Sequence, residues 1–140
     1  MSFTKSIKSL FPGYGQCTSY GASTNVNTNT GSNVTITLNT NTSTSSNTVT
    51  PISQAMSNGK IRVRTNVIGV NAVSKIVSIT ATDGTTTVQL YAGDANGTTA
   101  GVGLDETFDF VTNLSLNSFS VVVNVTTNNC THDVEVGGNY

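Results

Sequence analysis

Lys75–Ala92 reads KIVSITATDGTTTVQLYA. Two runs rich in β-branched residues flank Asp83-Gly84. Thr, Val and Ile suit the pleated, half-buried surface of a strand. Asp-Gly between two such runs is a strong hairpin signal, because a two-residue turn of matching twist needs positive φ at both central positions. The stretch therefore predicts two antiparallel strands at the centre of the chain. The same alternation continues on both sides. Lys60–Arg64 puts Ile61 and Val63 on one face and Lys60, Arg62 and Arg64 on the other, and Val67-Ile68-Gly69-Val70 continues the apolar run. Val34, Ile36 and Leu38 share a face, with Thr35 and Thr37 opposite. Downstream, Phe108 and Phe110 alternate with Asp109. Phe119, Val121, Val123 and Val125 form the longest apolar stripe, and Val134 and Val136 begin a last strand. Turn residues at 93–97 and Asn128-Asn129 separate these runs. About seven or eight short strands in this pattern imply an all-β, antiparallel β-sandwich or jelly-roll-like domain.

Composition agrees with many strands and polar outer faces. The 140 residues suit one domain with an arm. Charged residues are 9% of the chain, against about 25% in an ordinary globular domain. Disordered chains are also poor in apolar residues, but they are rich in charge and Pro. Here Asn, Thr, Ser and Gly replace the missing charge. They concentrate in Thr24–Thr50, where ten Thr, seven Asn and four Ser stand among 27 residues. The chain divides into an N-terminal docking arm (1–23), an extended Asn/Thr/Ser-rich segment with one strand (24–50) and the sandwich (51–140). In the arm, Phe3, Ile7, Leu10 and Phe11 recur at helix-like spacing with Lys5 and Lys8 between them, and Pro12-Gly13 ends the pattern.

Charge is asymmetric along the chain. All six bases precede position 83, and all seven acids lie at or after it. That suggests a basic face and an acidic face, suited to contact between copies or with a charged lattice. The basic strip Lys60, Arg62 and Arg64 is the expected charged contact. Three phosphate contacts without interleaved aromatics make a poor nucleic-acid site, so no nucleic-acid partner is expected. No run approaches the ~20 apolar residues of a membrane-spanning helix, and no membrane partner is expected. The N-terminus lacks the apolar core of a secretory signal, so synthesis and folding in a cytoplasm are expected. Cys17 and Cys130 are then free thiols at first. They form a candidate cross-link, within a chain or between copies.

Catalytic chemistry finds little support. The one histidine stands in Cys130-Thr-His132-Asp133-Val-Glu135. Strand alternation puts Cys130 and His132 on one face with Val134, and Asp133 and Glu135 on the other. Two converging ligands are too few for zinc, and neighbours on one strand do not line up as a nucleophile and its base. The loop 93–97 lacks the regular ligands of a calcium site. Asp105, Glu106 and Asp109 are acids without the aromatic platforms of a glycosidase cleft. No catalytic residue, metal or cofactor is expected, and the chain reads as a non-enzyme. A small carbohydrate- or receptor-binding module, using Tyr14, Tyr20, Tyr91 or Tyr140, is the alternative from a different class.

The arm from Phe3 to Phe11, the uncharged Asn/Thr/Ser tract and the Val/Phe-striped domain from about Lys60 to Val136 together resemble the small β-sandwich virion proteins of tailed bacteriophages, of the decoration (cement) or fibre type. The resemblance implies a structural subunit made in the host cytoplasm and carried on the virion. It would bind copies of itself or a major capsid or tail protein lattice through its arm and polar tract. A second resemblance is to jelly-roll subunits of spore-appendage-like filaments, extracellular and cross-linked by cysteines, although the paired N-terminal cysteines of that arrangement are missing here.

Overall fold

The structure is a computed structural model and describes residues 19–28, 31, 33–40, 48–93 and 97–139. These residues form nine strands: β1 (Ser19–Thr28), β2 (Asn33–Asn39), β3 (Thr48–Thr50), β4 (Met56–Val67), β5 (Val73–Thr82), β6 (Thr87–Ala92), β7 (Asp105–Leu116), β8 (Ser118–Thr126) and β9 (Cys130–Asn139). They build two antiparallel sheets. A five-stranded sheet runs β3-β1-β9-β4-β7 and a four-stranded sheet runs β2-β8-β5-β6.

The topology grows from the hairpin at Asp83–Gly84. With β3 set aside, the strands pair as a nested ribbon: β5 with β6, β4 with β7, β2 with β8 and β1 with β9. Rolling that ribbon brings β9 against β4 and β8 against β5. This closes a double-sheet jelly roll, which leaves only a few strand edges open. The turn itself differs from the two-residue expectation. Thr82 pairs with Thr87, so the loop holds four residues. The Asp83 carboxylate accepts the Thr85 and Thr86 N–H groups at 2.9 and 2.7 Å. These backbone bonds hold its pKa below the ordinary carboxylate value. Gly84 alone takes a positive φ, of 99°, which glycine adopts without steric cost.

Between the sheets lies one apolar core. Ile61, Val63, Val134 and Val136 from one sheet meet Ile36, Leu38, Ile76, Ile79, Phe119, Val121 and Val123 from the other. Phe110 and Phe119 bridge the sheets with ring centroids 5.2 Å apart, and Tyr91 lies 4.5 Å from Phe108. Aromatic pairs at such separations add to the burial of their area.

Strands from both sides of residue 51 share the two sheets. The polar tract was expected to carry one strand, Val34–Leu38, and that strand is β2. The tract also contributes β3 and the second half of β1, whose first half, 19–23, comes from the expected arm, and β1 is an interior strand between β3 and β9. Its inner face is mostly small and polar, with Val26 its one larger apolar side chain, so it carries no apolar stripe. Ser19, Gly21 and Ser23 are buried there. Ile52, arriving from beyond β3, covers them. A Cβ on Gly21 would lie 2.7 Å from the Ile52 side chain, so only glycine leaves Ile52 its place. The Ser19 hydroxyl donates to the Gln54 carbonyl and accepts the Gln54 N–H at 3.0 Å, which satisfies a buried polar group.

Candidate interaction surfaces

The outer face of the five-stranded sheet is a closed charge lattice. Antiparallel register sets Lys60 opposite Asp109, Arg62 opposite Thr107 and Glu135, and Arg64 opposite Asp105 and Asp133. The ion pairs formed are Lys60–Asp109, a two-pronged Arg62–Asp105 at 2.9 Å per contact, and Arg64–Asp133 at 2.7 Å. The expected basic strip is therefore interleaved with carboxylates rather than standing as a run of unpaired positive charge. The expected division into a basic and an acidic face is not found in this sheet either. Nested pairing lays β4, from the basic half of the sequence, between β7 and β9 of the acidic half. The Arg62 hydrogen bonds hold the Asp105 carboxyl below the ordinary range. Burial pushes the Glu135 carboxyl up, against the pull of Arg62. Burial also raises the Tyr20 phenol, with Glu135 adding to the effect, so Tyr20 stays protonated and donates to Glu135 Oε2 at 3.4 Å. The exposed Lys60 and Arg62 pairs contribute at most about 1 kcal/mol each.

The outer face of the four-stranded sheet is different in kind. Across the strands run the rows Thr37–Ser120–Thr80–Gln89 and Asn39–Ser118–Thr82–Thr87. Thr35 sits beside Val122 and Ser78, and Asn33 beside Asn124 and Lys75. Asn124 donates across to Asn33 Oδ1 at 2.8 Å. Lys75 is the only formal charge in these rows. The result is a sheet face of hydroxyls and amides spaced about 4.8 Å between strands.

A third feature closes one end of the barrel-like sandwich. The loops 68–72, 97–104 and 127–129 are stitched together there. Gly101 N–H donates to the Ala72 carbonyl, Ala72 N–H to Gly69, and the Asn128 side chain to Val70. Thr65 and Leu104 exchange two bonds, of 2.9 and 2.8 Å. On this framework Val67, Ile68, Val70 and Val102 stand exposed, Val70 by 76%. The apolar run Val67–Val70, read from sequence as a continuation of the core stripe, is solvent-facing because it leaves β4 and turns at Gly69. A Cβ on Gly69 would lie within 2.6 Å of Asn128.

No protein-family model matches this chain, and no curated protein matches it either.

His132 and Cys130 lie on the inner face of β9, as alternation places them. His132 is fully buried, and its Nδ1 shares a 2.8 Å hydrogen bond with the Thr28 hydroxyl. The ring thereby clips β1 to β9. Its Nε2 is buried and has no hydrogen-bond partner among the described residues. Burial lowers its pKa to about 4, with the Asp133 charge opposing. A neutral histidine held in a core is a packing element rather than an exposed acid or base. Cys130 is a free thiol, 3% exposed, close to the Gly69 N–H and Ser74 hydroxyl.

Cys17 lies outside the described residues, as do Phe3, Ile7, Leu10, Phe11, Tyr14 and Tyr140. Chain reach still bounds its pairing. Ser19 pairs with Gly138 and Thr28 with Cys130, eight residues of β9 apart, or about 27 Å. Cys17 is two residues from Ser19, a reach of at most about 7 Å. A disulfide needs Cα atoms within about 7 Å, so Cys17 and Cys130 of one chain cannot be joined while β1 is in place. Burial keeps Cys130 from a neighbour's thiol as well, and the expected cross-link between these two cysteines does not fit the folded molecule. Of the tyrosines expected as ligand platforms, Tyr20 is tied to Glu135 and Tyr91 packs at a tilt against Phe108.

Proposed function

We propose that this chain is a non-enzymatic structural subunit of a repetitive assembly, carried on a tailed-phage particle as a capsid decoration or fibre component. Its partners are copies of itself or the capsid or tail lattice. The observation that carries the reading is the outer face of the four-stranded sheet. A charged face loses strong hydration when a neighbour covers it. Hydroxyls and amides can trade water for partner groups at small net cost. A face whose one formal charge is Lys75 also meets far less self-repulsion in a symmetric contact than identical highly charged faces would. The charges of the other sheet, three bases beside four acids, are largely spent on one another.

The jelly roll is shared by viral capsid and lectin domains, so the fold alone does not choose between assembly and glycan binding. The occupied Tyr20 and Tyr91 weigh against the glycan-binding reading. The buried Cys130 weighs against a filament cross-linked through that residue.

Negative-stain electron microscopy of the purified chain tests the proposal. Repeating oligomers are expected, and Thr80→Glu with Ser120→Glu is expected to disperse them. Both positions lie on a solvent-facing surface, so the folded monomer should keep its melting temperature within a few degrees. Oligomers indifferent to the two glutamates would move the contact to another face. A substrate turned over by the wild type and lost in His132→Ala would overturn the non-enzymatic reading.

A further inference from the structure

We infer that the N-terminal segment, through Phe3, Ile7, Leu10 and Phe11, docks on the apolar tip of its own sandwich, over Val67, Ile68, Val70 and Val102. The inference goes beyond the assembly reading and does not depend on it.

The tip is a built surface that no described residue covers. Four aliphatic side chains stand exposed on loops fixed by hydrogen bonds. The loops 66–72, 97–104 and 126–129 hold no charged residue. Two of their residues take a positive φ without being glycine, Asn71 at 58° and Thr127 at 83°. A β-branched residue keeps that conformation only where its surroundings impose it, and such strain gathers at ligand clamps and other functional sites. Clustered exposed apolar side chains mark a contact surface.

The segment has the complementary pattern. At about 100° per residue, Phe3, Ile7, Leu10 and Phe11 fall within an arc of about 100°, and Lys5 and Lys8 fall outside it. Wound as a helix on the tip, the segment turns its apolar stripe to the aliphatic side chains and both lysines to water. No acid is needed opposite them. A helix of this length is marginal in water by itself, so the tip supplies the burial it lacks.

The tether selects the chain's own tip. Residues 1–18 enter the fold at Ser19, which pairs with Gly138, and the tip begins where Val67 pairs with Thr131. Those partners are seven residues of β9 apart, or about 24 Å. Phe11 is eight residues from Ser19, about 26–29 Å when extended, and Ile7 is twelve, about 40–43 Å. The whole apolar set therefore reaches the tip. Twelve residues of relaxed chain have an r.m.s. length of about 17–21 Å, close to the span. Effective concentration is greatest when tether and span match, and it is on the order of a millimolar for a short tether. A second copy at about 50 μM presents its tip roughly twentyfold more dilute. The docked segment also takes the tip out of contacts between copies and leaves those to the hydroxyl and amide face.

Paramagnetic broadening in NMR reads both the contact and whether it lies within one chain. A nitroxide is attached at Ser9→Cys, outside the apolar arc, in the full chain carrying Cys17→Ser. Cys130 is buried and stays unlabelled. In a 15N-enriched chain at about 50 μM, the amide signals of 67–70 and 101–103 should broaden relative to the same chain with the label reduced. They should stay sharp when spin-labelled chain without 15N is mixed with unlabelled 15N-enriched chain. Adding Val70→Asp or Ile7→Asp should weaken docking roughly tenfold, the loss of one buried anchor, and restore most of the signal height. Val70 stands on an exposed loop, so its substitution leaves the core packing intact. Tip signals that stay sharp in the spin-labelled chain overturn the docking and leave the assembly reading standing. Equal broadening in the mixture overturns the choice of the chain's own tip and gives the contact to a second copy. Broadening that survives both substitutions overturns the apolar contact.

Discussion

Phe119→Ala is expected to cost about 3–5 kcal/mol, against a total stability of about 5–15 kcal/mol for a domain of this kind. Phe119 is fully buried on the inner face of β8, and its ring meets Phe110 of the opposite sheet at 5.2 Å. It is the largest of the fully buried side chains among the described residues. Alanine removes the aromatic pair and leaves a cavity between two sheets. Those sheets are held at fixed spacing by their own ladders, so the site can collapse only in part. The expected result in thermal or urea unfolding is a fall in melting temperature of roughly 6–20 °C with a cooperative transition retained. Val111→Ala is the control. Val111 lies on edge strand β7 and is 88% exposed, so its truncation should stay within about 0.5 kcal/mol. A Phe119→Ala cost below about 1 kcal/mol would mean that the two sheets do not pack through this pair.

The parts of the fold that rest on period-two apolar patterning were legible in the sequence. Ile61 with Val63, Val34 with Ile36 and Leu38, and the β8 stripe all sit on inner faces, because each strand supplies its own share of the core. The fold of the ribbon at Asp83–Gly84 was legible too, since turn chemistry is local. Strand β1 was not. Its burial depends on Ile52, whose place over Gly21 is set by the path of the chain after β3, and nothing within Ser19–Thr28 announces it. The outward direction of Lys60, Arg62 and Arg64 followed from alternation, yet their partners did not. Asp105, Asp109 and Asp133 stand more than forty residues away and are brought alongside only by the nesting of β4 with β7 and β9. The same non-locality hid the uncharged sheet face. The Thr and Asn of β2 looked like a feature of one tract, whereas the surface is completed by Ser118 and Ser120 of β8, Thr80 and Thr82 of β5 and Gln89 of β6.

Acid should loosen the molecule through His132 before it titrates most of the surface carboxylates. The ring is fully buried between β1 and β4, with Val26 and Thr28 on one side, Thr65 on the other and Cys130 beside it on β9. None of these carries a charge, and the nearby Asp133 lies on the opposite face. Burial therefore dominates and lowers the pKa from 6.5 to about 4. A base with a folded pKa below its unfolded value takes up its proton on unfolding, so the unfolded state binds more protons between pH 6.5 and 4. Stability falls as pH falls through that window and levels off below about 4. The drop is about 3 kcal/mol for a shift of this size. Glu135 works in the opposite direction, because its raised pKa makes the folded state the better proton acceptor as the solution becomes acid. Asp105, with its lowered pKa, loses its contribution only below the ordinary carboxylate range. Comparing wild type with His132→Gln separates these terms. Urea unfolding at pH 7.5, 6, 5 and 4 should show a steeper loss of stability in the wild type, and the difference between the two curves should shrink by about 3 kcal/mol across the series. The reading is of slope, so a uniform destabilisation of the variant does not obscure it. Parallel curves would mean that His132 titrates normally in the folded state, which requires water or a charge to reach the Nε2 that is buried here. The Thr28 hydroxyl can accept from a protonated Nδ1, but the charged ring still has a buried, unpartnered Nε2, so the β1 side of its pocket should open first, and amide exchange across Ser19–Thr28 should accelerate on acidification ahead of exchange in β5 and β8.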